Sequence, residues 1–138
     1  MNIVIMAHDK KKELMVQFCI AYKGVLAKHR LFATKTTGQL VSEATGLPID
    51  LFLSGAQGGQ QQVSARITYN EVDLILFFTD PSNNDPVQEQ NLLQIERLCD
   101  KRNVPFATNL ATGEMLILGL DRGDLDWREG KGKSTPIY

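Results

Sequence analysis

The stretch LSGAQGGQQQV, residues 53 to 63, reads as an apolar strand end, a glycine-rich turn and a helix that starts at three glutamines. Glycines let the backbone turn tightly and bring bare N–H groups to the helix N-terminus, where such groups bind anions. Turns of this kind are common in α/β proteins and by themselves weakly specific. Two further strand ends carry compatible residues, AHDKKK at 7–12 and ATKTTG at 33–38. Three such loops in one chain indicate a phosphate site.

Short apolar runs alternate with amphipathic segments along the whole chain. The spacing predicts strands at residues 2–7, 31–34, 49–53, 72–79 and 104–107, with helices after them. The run 72–79 is the most apolar, so it is the candidate centre of the sheet, and Pro105 places the last strand at an edge. Five such units without an internal repeat predict a doubly wound, mainly parallel, five-stranded α/β sheet flanked by helices. We expect one domain over residues 1–138, with residues 121–138 as its C-terminal arm.

The helices between these strands have predicted ends as well. Thr36 or Thr37 is expected to cap the helix that follows residues 31–34, and Gly46 to end it. The last helix is predicted from about Gly113 to Leu120. Because open α/β sheets bind ligands at the carboxyl ends of their strands, the ligand site is expected there.

Composition restricts the class of protein. The 138 residues are 43% hydrophobic and 22% charged, with a formal charge of -1, which is typical of a soluble globular protein and predicts no nucleic-acid partner. The apolar runs are too short to span a bilayer, and no signal peptide is predicted. Cys19 and Cys99 fall on apolar helix faces, so we expect buried free thiols and a cytoplasmic location. Two histidines and two separated cysteines argue against a metal site.

Several residues at the strand ends have two interpretations. Asp9 can cap the helix that follows it, and Asp80 can simply begin a turn with Pro81. His8 and Lys12 lie at the same kind of junction, and there a ligand-binding role is favoured.

The chain carries a set of short motifs, namely AHD at 7–9 with Lys12, AT at 33–34 with TTG at 36–38, ATG at 44–46, LSG at 53–55, GG at 58–59 with QQ at 61–62, DP at 80–81, and ATN at 107–109 with AT at 111–112. Through these motifs the whole chain resembles the methylglyoxal synthase family. The resemblance implies elimination of phosphate from dihydroxyacetone phosphate to give methylglyoxal, without metal or organic cofactor, in a homohexamer. Relatives of the same fold in carbamoyl phosphate synthetase and in purine synthesis supply a non-catalytic precedent.

The resemblance also implies a set of residues around the substrate phosphate. That set is His8, Lys12, Thr34, Lys35, Thr36, Thr37, Ser54 and Gly55. Lys35 replaces the usual family glycine, so its side chain either adds charge or crowds the pocket.

The acid and base groups of the family are substituted. Gln60 stands at the position of the family base, and Val87 and Gln90 stand at the positions of a family histidine and aspartate. A glutamine amide is not a useful proton acceptor near neutral pH, and loss of a general base costs roughly 10² to 10⁴ in rate. The sequence therefore predicts a protein that binds phosphate or a small phosphorylated metabolite, with the elimination chemistry lost or strongly reduced.

Two alternatives remain open from the sequence. The first is an active methylglyoxal synthase, a carbon–oxygen lyase acting on a phosphate, whose base has moved. Asp9 and Asp80 match retained family aspartates, and Asp85 and Glu89 lie near the substituted positions, although both of these are predicted to be surface charges. The second is a non-catalytic regulatory or structural subunit.

Overall fold

Five parallel strands form one sheet in this computed structural model, which describes residues 1 to 129. The strands are β1 (Asn2–Ala7), β2 (Arg30–Ala33), β3 (Asp50–Leu51), β4 (Leu74–Phe78) and β5 (Phe106–Ala107). Their order across the sheet is β3-β2-β1-β4-β5, and every neighbouring pair runs parallel. The predicted parallel sheet is therefore confirmed.

Helices cover both faces of this sheet, as the doubly wound fold requires. They are α1 (Lys12–Ala21), α2 (Lys23–Leu26), α3 (Lys35–Thr45), α4 (Gly59–Thr68), α5 (Pro86–Arg102) and α6 (Leu110–Asp121). On one face Met15, Val41 and Ile117 pack from α1, α3 and α6. On the other face Ile67 and Ile95 pack from α4 and α5. Each face has its own apolar cluster, which accounts for the helical periodicity of the sequence.

The centre of the sheet is β1, with β4 beside it, and not the run 72–79 that the sequence favours. Both strands are buried, with all five residues of β4 and five of the six residues of β1 inaccessible. Strands covered by helices on both faces carry near-continuous apolar runs in either position. Apolarity alone therefore could not separate the central strand from its neighbour.

The start of α3 differs from the sequence prediction. Thr34 occupies the N-cap position with an extended backbone, and the helix begins at Lys35, so Thr36 and Thr37 lie in its first turn. The backbone N–H of Lys35 donates to the carbonyl of Leu53, at 3.4 Å. This bond gives a partner to one of the first-turn amides, which have none within the helix. The predicted end is confirmed, because Gly46 adopts the left-handed conformation with φ of 73°.

The edge strands are shorter than predicted and the last helix is longer. β3 and β5 contain two residues each and pair with a neighbouring strand on one side only. Fewer residues of the two predicted strands are therefore fixed by backbone hydrogen bonds to another strand. The position of β5 at an edge is confirmed. The last helix begins at Leu110 because the side chain of Asn109 accepts a hydrogen bond from the backbone N–H of Thr112, at 3.0 Å.

The first part of the predicted arm packs against the body of the fold through Arg128. This side chain is fully buried and its guanidinium donates to the carbonyls of Val72 and Asn103. Its Nε lies 3.6 Å from Oδ1 of Asp73. Residues 130 to 138, the remainder of the predicted arm, lie outside the described residues.

Both cysteines are buried free thiols, as predicted. Burial raises the pKa of Cys19 to about 12, and burial is also the largest cause that raises the pKa of Cys99 to about 12. Among the helices within residues 1 to 129, none combines the length and apolar character needed to cross a membrane.

Candidate functional site

The predicted site residues lie at the carboxyl ends of neighbouring strands. His8 is the first residue after β1 and Thr34 is the first after β2. Ser54 is the third residue after β3, and Asp80 is the second after β4. Because these four strands are adjacent and parallel, their carboxyl ends meet along one edge of the sheet. The structure thus brings together loops that are separated by up to 72 residues in sequence.

His8 is held in one orientation by the end of β4. Its backbone N–H donates to the carbonyl of Phe78, at 3.0 Å, and its Nδ1 accepts a hydrogen bond from the backbone N–H of Asp80, at 2.8 Å. Since Nδ1 is an acceptor, the proton of the neutral ring sits on Nε2. Burial is the largest cause that lowers the pKa of His8, against an opposing effect of the Asp80 carboxylate. The ring is therefore a neutral hydrogen-bond donor near pH 7.

Lys12 brings a positive charge to the same strand end. Its Nζ donates to the carbonyl of Ala7, at 2.7 Å, and lies 3.3 Å from Oδ1 of Asp9. The side chain of Asp9 is fully exposed, whereas that of Lys12 is only 18% exposed. Asp9 lies in a short 3₁₀ turn and does not cap α1, so the capping interpretation is wrong.

The first turn of α3 provides the second part of the site. Thr34 and Thr37 are buried, whereas Lys35 and Thr36 are exposed. The first amides of a helix have no partner within the helix, and the dipole favours an anion at this end.

The loop after β3 provides the third part, and its shape depends on glycine. Gly58 has φ of 103°, and a Cβ on Gly59 would lie 2.0 Å from the carbonyl oxygen of Leu53. Oε1 of Gln62 accepts a hydrogen bond from the backbone N–H of Leu53, at 2.7 Å, and so ties α4 to the residue before Ser54. This role of Gln62 could not be predicted from the sequence, because nothing in a run of glutamines distinguishes the one that binds backbone.

Gln60 points towards this loop and not into solvent. Its side chain is 9% exposed, and its Nε2 lies 3.6 Å from the place that a Cβ on Gly55 would occupy. The amide is therefore positioned to contact a ligand held by Ser54 and Gly55.

Three buried polar atoms at these strand ends have no hydrogen-bond partner within residues 1 to 129. They are Nε2 of His8, Oγ1 of Thr37 and Oε1 of Gln60. A buried polar atom without a partner costs about 1 to 3 kcal/mol, so a protein seldom keeps several without a use for them. The three atoms are a donor, a hydroxyl and an acceptor.

The acidic candidates are not equivalent. Oδ1 of Asp85 accepts hydrogen bonds from the backbone N–H groups of Val87, at 2.9 Å, and Gln88, at 3.3 Å, so this carboxylate caps α5. An aspartate followed by a proline at the first helical position signals such a cap in the sequence. The first turns of α5 hold Val87, Glu89 and Gln90, all of them exposed.

Asp80 is the acidic residue whose backbone N–H contacts His8. Its Oδ1 accepts hydrogen bonds from the N–H and the hydroxyl of Ser82, at 2.9 and 2.7 Å, and these bonds lower the pKa of Asp80. Its carbonyl accepts from the N–H of Asn83, at 3.0 Å, so Asp80 also begins a turn. Both interpretations of this residue are therefore compatible.

A metal site is not apparent in the part of the chain that the structure describes, where no three His, Cys, Asp or Glu side chains form a group suited to a metal ion.

Comparison with known proteins places this geometry in context. Residues 15–108 match the family model described as an MGS-like domain. Over 129 residues the chain is 57% identical to the methylglyoxal synthase of Caldicellulosiruptor saccharolyticus and 54% identical to that of Oceanobacillus iheyensis, in each case over 94% of this chain and 91% of the relative. The crystal structure of methylglyoxal synthase from Elizabethkingia anophelis NUHP1 matches with a TM-score of 0.75 at 35% identity, over 84% of this chain and 76% of that one.

These relatives correct the function predicted from the sequence. The substitutions at Gln60, Val87 and Gln90 predict a phosphate-binding protein with its chemistry lost or strongly reduced. Relatives named methylglyoxal synthase, at 54 to 57% identity over nearly the whole chain, contradict that prediction and support an active enzyme. The prediction is wrong because it takes the loss of the three aligned acid and base groups as loss of the reaction, whereas the backbone of Asp80 holds His8 at the same strand ends.

Proposed function

The chain belongs to the MGS-like family, and from that premise we propose that it is an active methylglyoxal synthase, which converts dihydroxyacetone phosphate into methylglyoxal and inorganic phosphate. The observation that carries this proposal is the identity of 57% over 94% of the chain to a protein of that name. The three buried polar atoms without partners at the strand ends support it.

The substrate phosphate binds between Lys12 and the first turn of α3. The hydroxyls of Thr34, Thr36 and Thr37 and the helix amides donate to its oxygens, and Ser54 and Gly55 close the opposite side. Support for this arrangement comes from the burial of Thr34 and Thr37 and from the exposed backbone of the loop after β3. Lys35 adds positive charge at the rim, while its backbone N–H donates to the carbonyl of Leu53.

The reaction needs a base for a proton on the hydroxymethyl carbon and a donor for the carbonyl oxygen. The N–H at Nε2 of His8 donates to that oxygen as negative charge develops on it. The resulting enediolate then breaks the carbon–oxygen bond to the phosphate, which leaves with the bonding electron pair, and the enol that remains becomes methylglyoxal. The acceptor Oε1 of Gln60 holds the substrate hydroxyl.

We assign the base to Asp80. Asp85 caps α5 and is exposed, and Asp9 is fully exposed and pairs with Lys12, so both carboxylates lie at the surface. Asp80 is only partly exposed and its backbone already orients His8. The hydrogen bonds from Ser82 lower the pKa of Asp80, so the carboxylate is ionised at neutral pH and is a weaker base than a free aspartate.

The domain organisation, cellular location, oligomeric state and cofactor requirement follow from the family and are part of the same proposal. We propose that residues 1–138 form one domain with residues 121–138 as its arm, that the protein works in the cytoplasm as a homo-oligomer, a hexamer by family resemblance, and that it needs neither metal nor organic cofactor.

Methylglyoxal formation from dihydroxyacetone phosphate tests this function directly. Purified wild-type protein should turn over at an enzymatic rate, on the order of 1 s⁻¹ or more, and release one phosphate per methylglyoxal. A mock preparation excludes a contaminating host enzyme. A Gln60→Asp variant, which restores a carboxylate at the position of the family base, is measured beside wild type. A folded wild-type protein that binds phosphate but forms no product above the mock would refute the proposal.

A further inference from the structure

A cavity of about 520 Å³ lies at the β3 edge of the sheet. Its principal walls are Arg30, Phe32, Phe52, Ala65, Arg66 and Tyr69. These residues come from β2, from the segment after β3 and from the C-terminal part of α4, and they are distinct from the residues of the phosphate site. The volume is in the usual range for sites of small organic ligands, roughly 300 to 1,000 Å³.

The floor of this cavity is a pair of stacked aromatic rings. The centroids of Phe32 and Phe52 are 5.8 Å apart with an angle of 12° between the planes, and both residues are buried. The guanidinium carbons of Arg30 and Arg66 lie 4.9 and 5.2 Å from the centroid of the Phe32 ring. Two cationic groups therefore rest on one aromatic surface, an arrangement that orients planar guanidinium groups.

The carboxylates that balance these charges hold them weakly. Arg30 Nε lies 3.1 Å from Asp50, and Arg66 Nη1 lies 3.3 Å from Glu71. All four side chains are between 41 and 65% exposed, and ion pairs as exposed as these contribute little. A ligand oxyanion can therefore replace the carboxylates, because a guanidinium binds a carboxylate or phosphate with two parallel hydrogen bonds.

Apolar surface beside the arginines is also available to a ligand. Tyr69 is 75% exposed and Leu51 is 46% exposed, and both line the cavity. An aromatic ring placed there would cover apolar surface and stack on a neighbouring ring. The cavity combines this apolar surface with the guanidinium groups of Arg30 and Arg66.

We propose that this cavity binds a small aromatic ligand that carries one oxyanion group, either a carboxylate or a phosphate. The oxyanion binds Arg30 and Arg66, and the ring packs against Phe52 and Tyr69. The site is separate from the one at the strand ends, and its occupancy does not depend on the proposed lyase function. Gln62 lies between the two sites, since it lines this cavity and its side chain also holds the N–H of Leu53.

Calorimetric titration of the full chain tests this site, with phenyl phosphate and benzoate as probes and benzyl alcohol as the uncharged analogue. We compare wild type with Arg66→Gln and with Arg97→Gln, a matched removal of one exposed arginine on α5. A Thr37→Val variant reports binding at the strand ends instead. Arg30→Gln serves as a second variant of the cavity if Arg66→Gln does not fold.

At least one of the charged probes should bind wild type and Arg97→Gln with the same affinity. Its affinity for Arg66→Gln should be lower by about tenfold or more. Benzoate should bind Thr37→Val as it binds wild type, whereas phenyl phosphate should keep its Arg66-dependent binding there and lose affinity only at the strand ends. The probe that binds identifies the oxyanion. The proposal is overturned if neither probe binds at millimolar concentration, if Arg66→Gln binds as wild type does, if Thr37→Val abolishes binding, or if benzyl alcohol binds equally well.

Discussion

The backbone N–H of Asp80 donates a 2.8 Å hydrogen bond to Nδ1 of His8, although the two residues are 72 positions apart in the chain. This contact joins the ends of the two most buried strands and fixes the proton of the neutral imidazole on Nε2. It uses the backbone of Asp80 and leaves its carboxylate available. One residue thus orients the proposed donor and supplies the proposed base.

Replacement of the proposed base should remove turnover without unfolding the protein. In Asp80→Asn the backbone bond to His8 remains, and the amide oxygen can still accept from Ser82. We expect the rate of methylglyoxal formation to fall by about 10² to 10⁴. Asp85→Asn is the matched control, because asparagine also caps a helix and the rate should stay near wild type. Equal activity of both variants would exclude Asp80 as the base.

The stability of the protein should decrease as pH falls through the range in which its histidines titrate. Burial is the largest cause that lowers the pKa of both His8 and His29, so below the unfolded value of 6.5 the unfolded chain binds more protons than the folded one. The free energy of unfolding is thus highest above that value and falls as pH drops towards the folded pKa values. His8→Gln should reduce this fall, as measured by urea unfolding at about pH 7.5 and about pH 5.5. If the free energy of unfolding of His8→Gln depends on pH as that of wild type does, a group other than His8 causes the fall.

The buried hydroxyl of Thr37 should favour ligand binding at the expense of stability. Its Oγ1 has no hydrogen-bond partner within residues 1 to 129, so Thr37→Val removes an unpaired polar atom. We expect the free energy of unfolding to stay constant or rise by about 1 kcal/mol, while phosphate binds more weakly.

Thr45, another buried threonine of α3, is the matched control for Thr37→Val. Its Oγ1 donates to the carbonyl of Val41, at 2.7 Å, and accepts from the N–H of Leu47, at 3.2 Å. Thr45→Val should therefore destabilise the protein by about 1 to 3 kcal/mol. Equal losses of stability in the two variants would contradict the role given to Thr37.

A side chain at Gly59 should disrupt the loop that carries Ser54 and Gly55. Its Cβ would meet backbone, 2.0 Å from the carbonyl oxygen of Leu53, so the loop has to move. Gly59→Ala should cost about 2 kcal/mol or more in thermal or urea unfolding and should weaken phosphate binding.

Gly24 offers the opposite case. No heavy atom of the described residues outside its own helix and chain neighbours lies within 4 Å of a Cβ there, and Gly24→Ala should leave stability unchanged or raise it by about 0.4 to 1 kcal/mol. A tolerated Gly59→Ala would show that the loop is not constrained by this contact.

The succession of strands and helices could be predicted from the sequence, because apolar periodicity is a local property. The end of α3 at Gly46 and the buried state of Cys19 and Cys99 follow from the same kind of pattern. The central strand could not be predicted, because β1 and β4 are both apolar and buried, the more apolar run is not the central one, and only pairing separates them. The start of α3 and the role of Asp85 depend on which backbone groups each chain segment meets.

By itself the sequence determined the class of fold and the family, and it predicted three loops for a phosphate site, since turn residues and hydrophobic period act within a few positions of one another. Tertiary structure alone decided that Asp80 orients His8, that Gln60 turns inward, and that Arg30 and Arg66 share one aromatic surface. These relationships join residues that lie far apart in the chain, and their geometry exists only once parallel strands bring distant loops to one edge of the sheet.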